Sequence, residues 1–236
     1  MIEYKSDVGC TRSLNEDYCD FFEVENYGLY IVADGMGGHN AGEIASKMAV
    51  TRVIEIVRET IDVHLKDSLK IAIEKTNEEI YNYSKENNEL SGMGTTITAI
   101  LRVGNDIIIA NVGDSSCFGL KDGKITKLTK DHSLVQQLVD MGSISYEQAK
   151  NHPNRNIITR ALGTELDLKV DIFEFNIEDF DKYLLCTDGL TNEVNIEKIK
   201  EIISEEKEDS CHKLVEKAKE NGGKDNITVM LFGGDI

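Results

Sequence analysis

The sequence contains a single proline, Pro153, and no stretch rich in proline, glycine or serine divides its 236 residues. Stretches of that composition are typical of linkers between domains. A chain of this length is also within the range of one large domain. We therefore expect one domain over residues 1–236.

Long apolar runs and a basic leader are also missing. No apolar run approaches the roughly 18 residues that a transmembrane helix needs. The first residues do not join a basic segment to an apolar one, as a signal peptide does. The sequence thus predicts no membrane partner and a cytoplasmic location.

Cysteine pairs with metal-binding spacing are absent. The five cysteines are an odd number, and no two of them form a Cys-x-x-Cys motif. This pattern disfavours both a zinc site and a disulfide framework. It is consistent with a reducing compartment such as the cytosol.

Basic residues are scarce relative to acidic ones. There are 26 Lys and Arg residues against 43 Asp and Glu residues, which gives a net charge of −17. Such a surface repels nucleic acid and anionic membranes, so we expect neither as a partner. The acidic excess favours an ordinary soluble surface, and it is compatible with some aspartates buried around cations.

Short apolar runs bounded by Gly, Asn or Asp predict β-strands. They lie at 29–33, 95–103, 107–112, 117–120, 124–128, 169–175, 183–187 and 227–232. The four runs from 95 to 128 indicate an antiparallel meander. Apolar residues at helical spacing predict four helices, near 45–57, 65–83, 196–203 and 211–218.

Helices that are segregated from hairpin-linked strands are typical of an α+β layered domain rather than a doubly wound parallel sheet. Residues 133–162 form the least regular stretch of the chain. Irregular segments of this length in compact domains are often functional. We interpret residues 133–162 as a flap, and call them the flap segment below.

Three aspartates lie at the ends of predicted strands. Asp34 and Asp188 each follow a strand, and Asp225 precedes one. Three carboxylates on rigid, converging supports could hold hard divalent cations. The glycine after Asp34 and after Asp188 permits a sharp turn that exposes carbonyl oxygens. An Asp-Gly pair alone is equally typical of a hairpin turn, which is our interpretation of Asp122-Gly123.

Further polar candidates lie elsewhere in the chain. Arg12 carries a fork of donors suited to phosphate oxygens. Glu16 and Asp17 could hold metals or water bound to them, although a polar loop with a surface ion pair would explain them too. Asp114 lies at another strand end, where a plain turn is the alternative.

Motifs of several other site classes are absent. The sequence has no P-loop, no His-Glu-x-x-His, no Gly-x-Ser-x-Gly and no EF-hand loop. Its five histidines are scattered. His39 and His132 could be catalytic, and a surface or capping role is the alternative.

Eight short motifs follow one another along essentially the whole chain. They are Gly9-x-x-Arg12-x-x-Asn15-Glu16-Asp17, Val32-Ala33-Asp34-Gly35-Met36-Gly37-Gly38-His39, Gly94-Thr95-Thr96, Asn111-Val112-Gly113-Asp114-Ser115, Thr129-x-Asp131-His132-Ser133, Ile158-Thr159-Arg160-Ala161-Leu162-Gly163, Thr187-Asp188-Gly189-Leu190 and Gly223-x-Asp225-Asn226-Ile227-Thr228. Each is weak alone. In this order and spacing they resemble the metal-dependent Ser/Thr protein phosphatase family (PPM, type 2C), in its compact bacterial form.

The resemblance implies a four-layer αββα sandwich, in which helix pairs flank two packed antiparallel sheets. It implies two Mn²⁺ or Mg²⁺ ions, with room for a third, and hydrolysis of phosphoserine and phosphothreonine in proteins by a metal-activated water. By this resemblance Asp34 would bridge two metals and the Gly35 carbonyl would bind one, while Asp188 and Asp225 would complete the first metal's shell. Two catalytic roles are implied, for Arg12, which would hold the substrate phosphate, and for Asp17, which with Glu16 would act near the second metal through water. Asp114 would help to form a third, weaker metal site.

Two positions depart from the family's pattern. Met36 stands where eukaryotic members carry a histidine proposed as the general acid, and bacterial members often carry methionine there. The identity of the general acid is therefore open. Ser116 stands where relatives often have arginine, a change that touches no metal ligand.

The resemblance also implies partners. We expect phosphorylated protein substrates, among them a Ser/Thr kinase that the enzyme opposes, and a monomeric chain. One alternative is a catalytically weak regulatory module that binds phosphoproteins with the same fold. A metal-dependent esterase or nuclease on another scaffold and a structural calcium-binding protein are the remaining alternatives.

Overall fold

The computed structural model describes residues 2–37, 41–205 and 209–233 of this chain. The candidate His39 lies outside these described residues. The strands are β1 (Ile2–Asp7), β2 (Asp17–Glu23), β3 (Tyr27–Met36), β4 (Gly94–Thr95), β5 (Ile97–Val103), β6 (Asp106–Val112), β7 (Ser116–Lys121), β8 (Lys124–Lys127), β9 (Asp171–Asn176), β10 (Lys182–Cys186) and β11 (Ile227–Gly233). The α-helices are α1 (Ala41–His64), α2 (Ser68–Glu86), α3 (Leu134–Asp140), α4 (Tyr146–Lys150), α5 (Asp188–Thr191), α6 (Ile196–Glu205) and α7 (Ser210–Glu220).

The strands form two sheets. One has the order β1-β11-β10-β7-β8, and the other has the order β2-β3-β5-β6-β9 with β4 paired to β3. Each named strand pairing in the described residues is antiparallel. The prediction of antiparallel sheets rather than a parallel α/β fold is confirmed.

Strand β3 shows why a continuous apolar run forms a central strand here. Successive side chains of a strand point to opposite faces. Leu29 and Ile31 therefore pack towards helices α1 and α2, while Tyr30 and Val32 pack between the two sheets. All four side chains are fully buried. A strand covered on both faces needs apolar residues at every position, which is why alternation is missing from its sequence.

Three apolar clusters separate four layers. The first lies between α1, α2 and the sheet that contains β3. The second lies between α6, α7 and the sheet that contains β10. The third fills the space between the two sheets. This arrangement confirms the predicted αββα sandwich.

Two sequence-based expectations about strands were wrong or incomplete. The meander over 95–128 is not one sheet, because the hairpin β5–β6 belongs to one sheet and β7–β8 to the other. Strands β1 and β2 were not predicted at all. Both are edge strands whose residues are mostly half-buried, so their sequences carry little continuous hydrophobicity.

The flap segment contains α3 and α4, two short helices that contact each other. Its beginning and end are tied back to the sandwich. Ser133 forms an isolated β-bridge with Ile158, and Leu162 forms one with Thr95 of β4. The segment is therefore an excursion anchored at its base and close to the end of β3, which pairs with β4.

None of the helices in the described ranges combines the length and the hydropathy that crossing a bilayer requires.

The inter-sheet layer should carry much of the stability. The rings of Tyr30 and Phe232 stack across it with centroids 3.7 Å apart, and Phe232 is 2% exposed. We expect Phe232→Ala to lower the free energy of unfolding by about 3–5 kcal/mol, since it removes buried area and leaves a cavity. Val63→Ala, at an apolar side chain that is 76% exposed, should change it by about 0.5 kcal/mol or less. Denaturant titration measures both, and equal losses would contradict this account.

Candidate active site

The end of β3, the end of β10 and the start of β11 meet at one edge of the sandwich, around a pocket of about 220 Å³. Eight residues were expected to bind metal or phosphate, and seven of them line this pocket. The lining residues are Arg12, Glu16, Asp34, Gly35, Met36, Gly37, Asp114, Asn156, Ile158, Asp188, Asp225 and Asn226. The two sheets thus contribute carboxylates to one cavity.

The backbone of Asp34 is fixed by hydrogen bonds to Thr95 and Thr96, which lie at β4 and directly after it. Its carbonyl oxygen accepts from Thr96 N at 2.8 Å and from Thr95 Oγ1 at 2.9 Å. Its amide donates to Thr96 Oγ1 at 3.0 Å. Since the backbone cannot shift easily, the Asp34 carboxylate enters the pocket from a rigid support.

Gly35 is required by close packing. A Cβ at this position would collide with the carbonyl oxygen of Gly42 at the start of α1, and it would lie 2.5 Å from the carbonyl oxygen of Glu16. The Gly35 amide also donates to that Glu16 oxygen at 3.2 Å. Only glycine allows β3, the N-terminal loop and α1 to meet this closely.

Asp17 is the one candidate that does not line the pocket. It lies directly opposite Asp34 in the β2–β3 register, and it is 6% exposed. Its Oδ2 accepts a hydrogen bond from Thr187 Oγ1 at 2.9 Å. Asp17 therefore lies behind the pocket wall, close enough to interact electrostatically with Asp34, Asp188 and Asp225.

Proximity and loss of solvent raise the carboxylate pKa values. Burial is the largest cause for each, and neighbouring aspartates add to it. The pKa of Asp17 is raised to about 7, that of Asp114 to about 8 and that of Asp188 to about 6, from an ordinary 3.8. The pKa of Asp34 is raised well above that value, mainly by burial and then by Asp17. Without a compensating cation these groups resist simultaneous ionisation.

Three of these carboxylates keep an oxygen without a protein partner. Among the described residues, Asp17 Oδ1, Asp114 Oδ1 and Asp188 Oδ1 are buried and accept no hydrogen bond. In the same ranges, no group of three His, Cys, Asp or Glu side chains has a geometry that could hold a metal ion as it stands. Unpartnered carboxylate oxygens in a shared electrostatic environment fit hard divalent cations, which prefer oxygen ligands. The residues present therefore fit a metal site.

Arg12 forms an ion pair at the mouth of the pocket. Its Nη2 donates to Asp225 Oδ2 at 3.0 Å, and the two side chains are 48% and 35% exposed. Solvent-exposed ion pairs contribute little free energy. Arg12 can therefore exchange Asp225 for an oxyanion at small cost.

Asn226 is a residue of the site whose role the sequence did not reveal. Its Oδ1 accepts from Glu16 N at 2.8 Å, and its Nδ2 donates to the carbonyl oxygens of Leu14 at 2.9 Å and Val8 at 3.1 Å. Its side chain thereby shapes the loop that carries Arg12. The sequence signals were its place between Asp225 and a strand and its inclusion in the last of the eight motifs, neither of which gives it a role.

No described histidine lines the pocket, and His132 lies outside it, 7% exposed. A catalytic role in direct contact with substrate, one of the two possibilities left open for His132, is therefore not supported by its position. Met36 lines the pocket but has no proton to transfer.

The chain matches the family model described as Protein phosphatase 2C over residues 11–227, and it belongs to this family. The serine/threonine phosphatase stp of Listeria monocytogenes serotype 4b is 41% identical, over 99% of this chain and 96% of that protein. The solved structure of Stp1 from Staphylococcus aureus superimposes with a TM-score of 0.89 at 36% identity, over 98% of this chain and 94% of that one.

A second structural relative was solved with metals. The catalytic domain of the serine threonine protein phosphatase PstP, in complex with 2 manganese ions, has a TM-score of 0.83 and 36% identity. The match covers 98% of this chain and 96% of that one.

The raised pKa values predict an unusual pH dependence of the metal-free protein. In the unfolded chain, Asp17, Asp114 and Asp188 lose their protons as the pH rises through about 3.8. In the folded protein they keep them until the pH passes about 6 to 8. This stabilisation is complete below about pH 4 and is lost as pH rises to 8. In EDTA we expect the free energy of unfolding to fall by at least about 1.4 kcal/mol between pH 5 and 8.

Asp114→Asn should reduce this decline, because the amide cannot ionise. Asp122→Asn, at an exposed turn outside the pocket, should leave it unchanged. Denaturant titrations at several pH values measure the difference. A decline of equal size in the wild type and the Asp114 variant would contradict the assignment of the slope to the pocket.

Proposed function

We propose that this chain is a metal-dependent serine/threonine protein phosphatase that hydrolyses phosphoserine and phosphothreonine in proteins. The observation that carries the proposal is a pocket in which crowded carboxylates with unpartnered oxygens face one guanidinium, that of Arg12. Membership of the protein phosphatase 2C family and similarity to serine/threonine phosphatases support it.

The residues that would hold divalent cations line the pocket, except Asp17, which lies behind its wall. Asp34 would bridge two ions, and the Gly35 carbonyl, Asp188 and Asp225 would complete the first shell. Asp17 and Glu16 would act on the second ion through water, and Asp114 would hold a third. The PstP structure with manganese supports Mn²⁺, and Mg²⁺ is the alternative. When bound, the ions would neutralise phosphate charge and lower the pKa of a water molecule.

The chain's own groups supply binding and orientation. Arg12 would bind two phosphoryl oxygens in place of Asp225, because its guanidinium is a planar fork. Asn226 holds the loop of Arg12, so the guanidinium approaches from a fixed direction. Asn156 and Ile158 of the flap segment also line the pocket, where they would contact a bound substrate.

The physiological setting follows from the same chemistry. We propose that the substrates are phosphorylated proteins, including a Ser/Thr kinase that the enzyme opposes, and that the chain acts as a cytoplasmic monomer with one catalytic domain. The flap segment would contact the polypeptide on either side of the phosphorylated residue, since it borders the pocket. The acidic net charge supports the exclusion of nucleic acid as a substrate.

Phosphate release from a phosphothreonine peptide tests the activity. With Mn²⁺ or Mg²⁺ we expect release from the wild type and none with EDTA. Asp188→Asn should lower the rate at least about 100-fold, since it removes a charged ligand while keeping the volume. Asp122→Asn, in a plain turn, is the matched control and should keep the wild-type rate.

A folded wild type that releases no phosphate with any metal would overturn the enzymatic proposal. Calorimetric binding of the same phosphopeptide without turnover would then favour the regulatory binding module. A wild-type rate in Asp188→Asn would instead show that the metal assignment is wrong.

Arg12→Ala separates phosphate binding from metal binding. We expect KM for the phosphopeptide to rise roughly 10- to 100-fold, as for the loss of charged hydrogen bonds. Mn²⁺ binding, measured by calorimetry without substrate, should be unchanged or tighter because Asp225 loses its ion pair. Weaker Mn²⁺ binding with an unchanged KM would contradict the role of Arg12.

A further inference from the structure

A partly buried polar cluster, in which only the histidine is fully buried, lies outside the lining of the pocket. It consists of His132, Arg160 and Asp171, and we call it the His132 cluster. His132 Nε2 lies 3.1 Å from Asp171 Oδ2, and Arg160 Nη1 donates to Asp171 Oδ1 at 2.8 Å. Arg160 Nη1 also donates to the Lys169 carbonyl oxygen at 3.1 Å. These bonds join the base of the flap segment to β9.

The two ring nitrogens of His132 have different partners. The Gly113 amide donates to Nδ1 at 3.0 Å, so Nδ1 carries no proton. Nε2 lies 3.1 Å from Asp171 Oδ2 and 2.8 Å from Arg160 Nη1. Nε2 is therefore in contact with both other members of the cluster. Burial lowers the pKa of His132.

The backbone of His132 reaches the same two places as its ring. Its amide donates to the Gly113 carbonyl oxygen at 2.8 Å, and its carbonyl accepts from Thr159 N at 2.7 Å. Gly113 has a φ of +108°, and a Cβ there would lie 2.5 Å from Thr96 Cγ2. This turn, which requires glycine, carries Asp114 into the pocket. His132 therefore stands between the Asp114 turn on one side and the flap segment on the other.

We propose that His132 is a positioning residue that holds two walls of the pocket in register. Its Nδ1 fixes the turn that presents Asp114. Its Nε2, through Asp171 and Arg160, fixes the base of the flap segment that presents Ile158. The inference rests on the proposed phosphatase function. It assigns the positioning of the Asp114 turn to Nδ1 and the positioning of the flap segment to Nε2.

Two substitutions separate the nitrogens. In His132→Asn, Oδ1 takes the place of Nδ1 and can still accept from Gly113, but the shorter side chain no longer reaches Asp171. In His132→Gln, Nε2 takes the place of the ring Nε2 and can still donate to Asp171, but the Gly113 amide loses its acceptor. Each variant thus keeps one contact and loses the other.

The expected results differ in kind. His132→Gln should raise the Mn²⁺ concentration for half-maximal rate roughly 3- to 10-fold, with KM for the phosphopeptide nearly unchanged. His132→Asn should raise KM by a similar factor and leave the Mn²⁺ dependence nearly unchanged. Calorimetric titration of Mn²⁺ without substrate gives a second readout, in which only His132→Gln should show weaker binding.

Three controls keep the test decisive. His212→Gln changes an exposed histidine on α7 and should alter neither parameter. Asp171→Asn keeps the side-chain volume and should raise KM as His132→Asn does. It therefore replaces His132→Asn in the test if that variant folds poorly. Thermal unfolding of each variant shows whether a lost rate only follows a lost folded fraction.

The proposal is overturned if both His132 variants fold and keep the wild-type KM and Mn²⁺ dependence. It is also overturned if both variants change the two parameters together, or lose rate only in proportion to unfolding, since either result indicates a merely structural role. A wild type without turnover would instead overturn the proposed function. The two failures are therefore distinguishable.

Discussion

Electrostatic repulsion among the pocket aspartates is the constraint on which the rest of this structure depends. Burial and mutual proximity raise the pKa values of Asp17, Asp34, Asp114 and Asp188 together. Such an arrangement is costly in the absence of cations. It persists because each carboxylate is attached to backbone that the strands and their turns already fix. The apolar layers of the sandwich offset the cost of assembling the site.

The site is divided between the two sheets, so its geometry depends on their packing. Asp34 belongs to one sheet, whereas Asp188 and Asp225 adjoin strands of the other. The inter-sheet layer, in which Tyr30 and Phe232 stack, helps to set their relative positions. Hydrogen bonds from Thr187 to Asp17 and from Glu16 to Asn226 join the two sheets beside the site itself. Core packing far from the pocket therefore helps to determine whether the carboxylates can share cations.

Much of the architecture could be predicted because central strands and long helices have strong apolar patterns. Strand β1 could not, since its half-buried residues gain order from pairing with β11, which is more than 200 residues away in sequence. The metal-ligand candidates followed from strand-end aspartates and family motifs. Asn226 and His132 act through hydrogen bonds to distant backbone, which sequence spacing does not encode.

The charges that line the pocket link the binding of phosphate to the binding of cations. One guanidinium, that of Arg12, faces five carboxylates, those of Glu16, Asp34, Asp114, Asp188 and Asp225. The raised pKa values of Asp34, Asp114 and Asp188 mean that the five do not all ionise readily without cations. Divalent cations would stabilise the ionised carboxylates and reduce their repulsion of a phosphate monoester dianion. Arg12 could then leave Asp225 for the phosphate, because a bound cation would compensate that carboxylate.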